Sequence, residues 1–370
     1  MTRATGAQIG RAATALGCRR DAGRLLAGIV ALLMSASTAA AADKPVEIGV
    51  LALGPRNEPV WSCKPGEPST DEAAHKTMPF YVRGMLDELD KLNYVDERSE
   101  NGSRAGRRFN LDMRVGTIAE LRSATHDFIR KPVDIIVAVA TAGVRVAQEE
   151  TRDHPIPILF PGISDPVADG FVASLARPGG WITGVSHQQV QASGKRVELF
   201  KEMLPGLQRL ITIRRSNYGP SEKSMPEIRA TAARLKLEVL DWSLNSRDEL
   251  KEKLNGLPHD TAAGILMLPD TFAISSLDLI IPASLAQRVP ILGQQDYMAD
   301  WGALAAYGPS TYQAGGRVAH YIDKIAKGAK PGELPVEPVD PMLVVNLKVA
   351  NCLGISIPPD VLHQADRVIQ

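Results

Sequence analysis

Residues 164–205 read SDPVADGFVASLARPGGWITGVSHQQVQASGKRVELFKEMLP, and this stretch joins two halves of similar design. Proline lacks an amide donor and glycine admits positive φ, so Arg177-Pro178-Gly179-Gly180 cannot continue a helix, and a helix is expected to stop near Ala176. A strand-like run follows from Trp181 to Ser186. Ser193 is then expected to cap an amphipathic helix whose apolar residues Val197, Leu199, Phe200, Met203 and Leu204 mostly recur at helical spacing. Pro205-Gly206 ends it.

On the N-terminal side, apolar β-rich runs alternate with helical patterns. The strands predicted are Val46 to Leu53, Phe109 to Val115, Val133 to Val139 and Ile156 to Phe160, with helices over Phe80 to Leu92 and Ala119 to Arg130. Such alternation predicts parallel βαβ units. Beyond Pro205 the pattern restarts: strands at Arg209 to Arg215, Leu237 to Leu240, Ala262 to Leu268 and Pro290 to Leu292, and helices at Ser221 to Leu235, Arg247 to Leu254 and Phe272 to Leu285. No sequence repeat links the halves, so the similarity is architectural. A helix from Thr311 to Lys327 and a strand from Met342 to Val345 precede a terminal helical stretch that is expected to pack back across both halves.

The words DPVADGFVASLARPGG, ITGVS and SGKRVELFKEMLPGL, and the ending from Ala305 to Ile369 that begins AAYGPSTYQAGGRVAHYIDKIAKG, closely resemble the ABC-transporter substrate-binding family whose characterised members bind tryptophan or tyrosine. The resemblance implies an α/β protein of two Rossmann-like lobes with parallel sheets joined by a hinge, the type 1 periplasmic binding fold. It also implies a receptor that passes a small solute to a membrane permease. The expected divisions are a signal peptide over 1–42, lobes over 43–190 and 191–306, and a C-terminal segment, 307–370, crossing back over the lobes. Hinge segments are expected near Val185 to Ser193 and near Ala305 to Pro309.

Arg3, Arg11, Arg19, Arg20 and Arg24 precede an apolar run from Leu25 to Met34 and a small-residue end at Ala40-Ala41-Ala42. That is the outline of a signal peptide read by the Sec route and cleaved after Ala42, and its apolar core is shorter than the ~20 residues a membrane anchor needs. A periplasmic protein is therefore expected. The leader takes five of 42 basic and one of 42 acidic residues, leaving 37 and 41 and a formal charge of −4. This is not the footprint of a nucleic-acid binder. Cys63 and Cys352 survive export, and either a disulfide between them or two thiols is compatible with an oxidising compartment.

In open α/β sheets ligands sit beyond the carboxyl ends of the strands. After Val139 come Thr141 and Ala142, with Thr141 placed either to cap a helix whose free amides suit a carboxylate or to cap it with no ligand present. After Phe160 come Ser164 and Asp165; the aspartate either neutralises a ligand ammonium or caps a helix starting at Pro166. In the second half, Asn217 and Tyr218, Asp270 and Thr271, and Gln295 and Asp296 follow successive strands. Asp270 or Asp296 is expected to hold a ligand ammonium and at least one of them to contact the ligand, each having the alternative reading of a helix cap. Aromatic groups near predicted loop ends are Trp61, Tyr218, Phe272, Tyr297 and Trp301. The 25-residue loop from Gly54 to Met78 far exceeds an ordinary βα connection and either lines the cleft or runs over the surface. Asp96 to Arg108 is polar and is expected to lengthen an outer turn.

The residues needed for several chemistries are missing. No G-x-G-x-x-G follows a strand, no P-loop surrounds Gly194-Lys195, and H-E-x-x-H, C-x-x-C and G-x-S-x-G do not occur. Histidines such as His126, His187 and His320 are scattered, so no metal, cofactor or catalytic group is assigned. The expected function is capture of a small polar solute, an amino acid or similar zwitterion, by a binding protein of an ABC importer with a permease as partner. The alternatives are a sensor handing its ligand to a membrane receptor or, on the same fold, an enzyme.

Overall fold

The computed structural model describes residues 44–53, 80–98, 105–187, 189–259 and 261–370. The leader over 1–42, Trp61, Cys63 and the loop from Gly54 to Met78 lie outside these residues. The described chain builds two seven-stranded sheets with helices packed on them.

The first sheet grows from β1 (Val46–Leu53), the apolar run VEIGVLAL. α1 (Phe80–Lys91), β2 (Tyr94–Asp96), β3 (Arg107–Gly116), α2 (Ile118–Arg130), β4 (Ile135–Ala138), α3 (Ala140–Glu150), β5 (Ile158–Ile163) and β6 (Ile182–Ser186) follow in order. β1 pairs in parallel with β3 on one side and β4 on the other. Ile48, Val50 and Leu51 are almost wholly buried, which explains an apolar run unbroken from Ile48 to Leu53 where a half-exposed strand would alternate. Thr117 and Glu120 form a reciprocal capping box that starts α2.

The second sheet repeats the plan. Its elements are α4 (Ser193–Met203), β7 (Arg209–Arg215), α5 (Gly219–Arg234), β8 (Glu238–Leu244), α6 (Arg247–Asn255), β9 (Ala263–Met267), α7 (Thr271–Ile274), α8 (Leu277–Ala286), β10 (Ile291–Gly293), α9 (Tyr297–Asp300) and β11 (Ala305–Pro309). The chain then returns to the first sheet with α10 (Thr311–Ala326) and β12 (Glu337–Pro338), and goes back to the second with β13 (Pro341–Asn346), α11 (Leu347–Leu353), α12 (Pro359–Gln364) and β14 (Arg367–Ile369). The strand orders are β12-β6-β5-β4-β1-β3-β2 and β14-β13-β11-β10-β9-β7-β8. Every pairing is parallel except β11 with β13.

Among the described residues the chain therefore passes between the sheets at 187–192, at Ser310 and at 339–340. The segment after Tyr307 contributes to both sheets. α10 packs with α1 through Ala314, Val318, Ala319 and Ile322 against Val82, Met85 and Leu89, each large aliphatic group contributing roughly 1.5–3 kcal/mol by burial. Leu353 and Val361 of the terminal helices instead join the core of the second sheet. Glycines set the α1–α10 spacing: a Cβ at Gly315 would lie 1.9 Å from the Tyr81 carbonyl oxygen, and one at Gly84 would lie 2.0 Å from that of Tyr312.

Four local expectations are corrected. No helix spans 166–176; turns occupy the segment, with Phe171 and Val172 amides donating to the Pro166 carbonyl and Gly170 at φ 73°. Ser193 is the first residue of α4 and donates to the Gln189 carbonyl instead of capping. Thr141 lies inside α3, whose N-cap is Val139. The helix expected over Phe272 to Leu285 is split into α7 and α8. Of the segment Asp96 to Arg108, Asp96 ends the edge strand β2 and Arg107 and Arg108 open β3, while 99–104 lie outside the described residues.

Candidate functional site

The carboxyl ends of both sheets meet along a polar seam. From the first sheet come Thr141, at the start of α3, and Asp165 and Asp169, in the turns after β5; from the second come Tyr218 and Lys223, around the start of α5, and Thr271, opening α7. The Lys223 ammonium donates to Asp165 Oδ2 at 2.7 Å. Asp165 Oδ1 accepts from the Ala168 amide, so its carboxylate organises a turn and reaches the other half at once. Lys223 holds its carboxyl below the ordinary range, against a smaller opposing effect of burial. Both partners are partly exposed, side chains 54% and 38%, so the pair contributes at most about 1 kcal/mol.

Tyr218 lies half-buried in this seam. Burial raises the pKa of its hydroxyl, an effect opposed by the neighbouring hydroxyls of Thr271 in the second half and Thr141 in the first. Asp169 stands beside it with a single weak side-chain contact, the Thr141 hydroxyl at 3.4 Å. Burial pushes the Asp169 carboxyl up, and the Arg145 guanidinium opposes this without an ion pair. Asp169 is thus the under-compensated acid of the seam.

Backbone strain marks the same edges. Ala140 has φ 62° and Asn217 has φ 60°; asparagine visits this region readily, whereas alanine does so at a cost of roughly 1–2 kcal/mol. These residues immediately precede Thr141 and Tyr218.

The other expected site acids are engaged by the protein itself. Asp270 is 1% exposed, and its oxygens accept from the amides of Phe272, Ala273 and Arg215 and from the Ser221 hydroxyl. It caps α7 and ties it to the end of β7. Asp296 accepts from the Tyr297 and Thr311 amides and, at 2.7 Å, from the Thr311 hydroxyl. Burial raises its pKa, with those Thr311 bonds opposing. Because Thr311 directly follows the crossing at Ser310, Asp296 fastens the entry of α10.

Of the remaining expected residues, Ala142 and Ser164 are half-buried near the seam, Asn217 and Thr271 are exposed at its rim, and Gln295 is half-buried after β10. Ser164 donates to Gln189 Oε1 at 3.3 Å. Phe272 belongs to the second core, and Tyr297 packs on Trp301 with ring centroids 4.4 Å apart.

A second polar group lines the crossings. His187, Gln189 and Gln294 are buried, and His187 Nε2, Gln189 Nε2 and both side-chain heteroatoms of Gln294 have no hydrogen-bond partner. Burial lowers the His187 pKa to about 4, against a hydrogen bond to the Pro161 carbonyl. Each orphaned group costs roughly 1–3 kcal/mol unless a bound molecule satisfies it. The sequence signal for His187 and Gln294 was available, since each directly follows a strand. Asp169 and Lys223 carried none, because on helical patterns both read as solvent-facing charges. Among the described residues no group of three His, Cys, Asp or Glu side chains is placed to hold a metal ion.

Two mostly parallel α/β sheets joined by short crossings, with polar groups converging between their carboxyl edges, define a class of two-lobed solute-binding proteins. Residues 75–369 match the profile of the family described as ABC transporter substrate binding protein, and the chain belongs to that family. A tyrosine-binding protein of Clostridioides difficile is 23% identical over 253 residues, 68% of this chain and 72% of that one. The solved ABC domain of Streptococcus pneumonia in complex with L-Trp aligns with a TM-score of 0.68 at 22% identity, covering 88% of this chain and all of that one. A ligand-free, open substrate-binding protein from Clostridium difficile gives a TM-score of 0.57 at 20% identity over 88% and 99% of the two chains. These structures share the type 1 periplasmic binding fold. No helix among the described residues is long and apolar enough to cross a membrane.

Proposed function

We propose that the chain, freed of its leader at Ala42, is a periplasmic receptor that captures an amino acid between its two sheets and delivers it to the permease of an ABC importer. The observation that carries this reading is the seam in which Tyr218 of one half faces Thr141 and Asp169 of the other. A zwitterion suits that chemistry. Its ammonium faces the under-compensated Asp169, and its carboxylate faces the free amides and positive end of the eleven-residue helix α3. The amides of Gln189 and Gln294 and the neutral His187 ring add hydrogen-bonding capacity for polar parts of the ligand. Similarity to proteins described as binding tyrosine and L-Trp supports an amino acid, and aromatic ones are the first to try.

Closure follows from two-sided contact. A ligand touching both halves stabilises the closed form by its differential affinity for it, and the permease reads that form. A thermal-shift screen of the twenty amino acids tests the reading. A binder at a hundred times its Kd adds about 2.7 kcal/mol of stability. The reading fails if no amino acid raises the melting temperature while sugars or simple organic anions do.

A further inference from the structure

Arg196 is wholly buried, 0% exposed, in the first turn of α4. Its position is unfavourable on three counts. A guanidinium removed from water incurs several kcal/mol of desolvation. No carboxylate lies within ion-pairing distance of it among the described residues. The amino end of a helix is also the positive end, where a cation is repelled. Burial pulls its pKa down to about 10, with Tyr307 opposing.

Its hydrogen bonds show what keeps it there. One terminal nitrogen donates to the Gln189 carbonyl at 2.6 Å and to the Ser193 hydroxyl at 3.2 Å. The other donates to the Tyr307 carbonyl at 3.4 Å. Gln189 belongs to the link that leaves β6, and Tyr307 lies on β11 just before the crossing at Ser310. One planar fork therefore holds a main-chain oxygen of the first crossing and one of β11, the strand that leads into the second, and the Ser193 hydroxyl reinforces the hold on the first by donating to the same Gln189 oxygen. The third crossing is tied to the first by a backbone bond, the Val339 amide donating to the Ser186 carbonyl at 3.2 Å. No apolar side chain can make the carbonyl contacts, and a lysine has one nitrogen where the fork has two terminal ones.

We infer that Arg196 is a positioning residue of the hinge, a pin that makes the first two crossings bend together so that the sheets close about a single axis. Its contribution is to the coordination of the crossings rather than to the stability of either half. Methionine at this position removes the desolvation cost of a buried cation with no carboxylate partner, which offsets the three hydrogen bonds lost with the guanidinium. The pin and a merely structural role hence predict different outcomes.

The test needs no ligand. Spin labels on the full mature chain at Ser123→Cys in α2 and Asp248→Cys in α6, both exposed positions on opposite halves, report the distribution of distances between halves. In an Arg196→Met background the distribution is expected to be at least about twofold broader, with melting within a few degrees of the parent. Arg196→Lys, which keeps the charge but not the fork, should broaden it less. Wild-type distributions in both variants at native melting would overturn the assignment. So would a fall in melting temperature with no broadening in Arg196→Met, which would mark the residue as structural only. If Arg196→Met does not fold, Arg196→Lys decides alone: unchanged width overturns the pin and increased width supports it.

Discussion

Acidification should weaken this protein through His187, and the size of the effect can be worked out. The imidazole is 6% exposed, and its folded pKa is about 4 against an ordinary 6.5. Between those values the unfolded chain binds a proton that the folded chain does not, so stability falls as pH drops through 6.5 and the loss levels off below about 4. A gap of this size corresponds to about 3 kcal/mol in the limit, and about 2 kcal/mol of it is lost between pH 7 and pH 5. Asp169 and Asp296 act in the opposite sense, because their carboxyls are raised in the fold and protonation stabilises it. Their effect is removed by comparison with His187→Gln, which keeps both acids. Urea unfolding of each protein at the two pH values supplies the difference of differences, and any pH-independent cost of the substitution cancels. Equal losses in wild type and variant would refute the reasoning.

The other predictions concern separate parts of the molecule. Asp270→Ala should cost about 3 kcal/mol in chemical denaturation, since four donors lose their acceptor inside the protein; a loss under about 1 kcal/mol would contradict the capping role. Gly315→Ala should lower stability by about 2 kcal/mol or more, because the Tyr81 carbonyl is backbone and cannot step aside. Lys223→Ala should leave unfolding nearly unchanged but weaken amino-acid binding a few-fold at low salt, with the difference fading as salt rises; a salt-independent effect would rule out the ion pair as its cause. Cys352 is disulfide-bonded, and a mature chain cleaved after Ala42 would keep one other cysteine, Cys63. Non-reducing peptide mapping should recover that pair, and a free Cys63 thiol would exclude it.

Much of the fold was legible because strand and helix alternate with little interruption. β1 has the predicted bounds, Val46–Leu53, and the βα restart after Pro205 reappears as the second sheet. What could not be read depends on contacts distant in sequence. Asp270 follows a strand and precedes a helix, which suits a cap and a ligand group equally; the deciding donors include the Arg215 amide, 55 positions away. Arg196 sits in the pattern SGKRVEL, where a charged residue looks solvent-facing, and only the tertiary fold buries it. The left-handed Ala140 is invisible because alanine carries no signal for that conformation. Asp169 was misplaced with the helix expected over 166–176, which Gly170 and the Pro166 carbonyl turn into successive bends.

The return of α10 to the first sheet has a consequence for how the molecule is made. A chain produced from its amino end displays the apolar side of α1, with Val82, Met85 and Leu89, long before its cover exists. That cover and β12 arrive only after all of β7–β11 has emerged. The half encoded first is therefore the half completed late, and its assembly waits on contacts separated by more than two hundred residues. Slow, high-contact-order folding follows from that order, with an interval in which a greasy helix face must be kept from other chains.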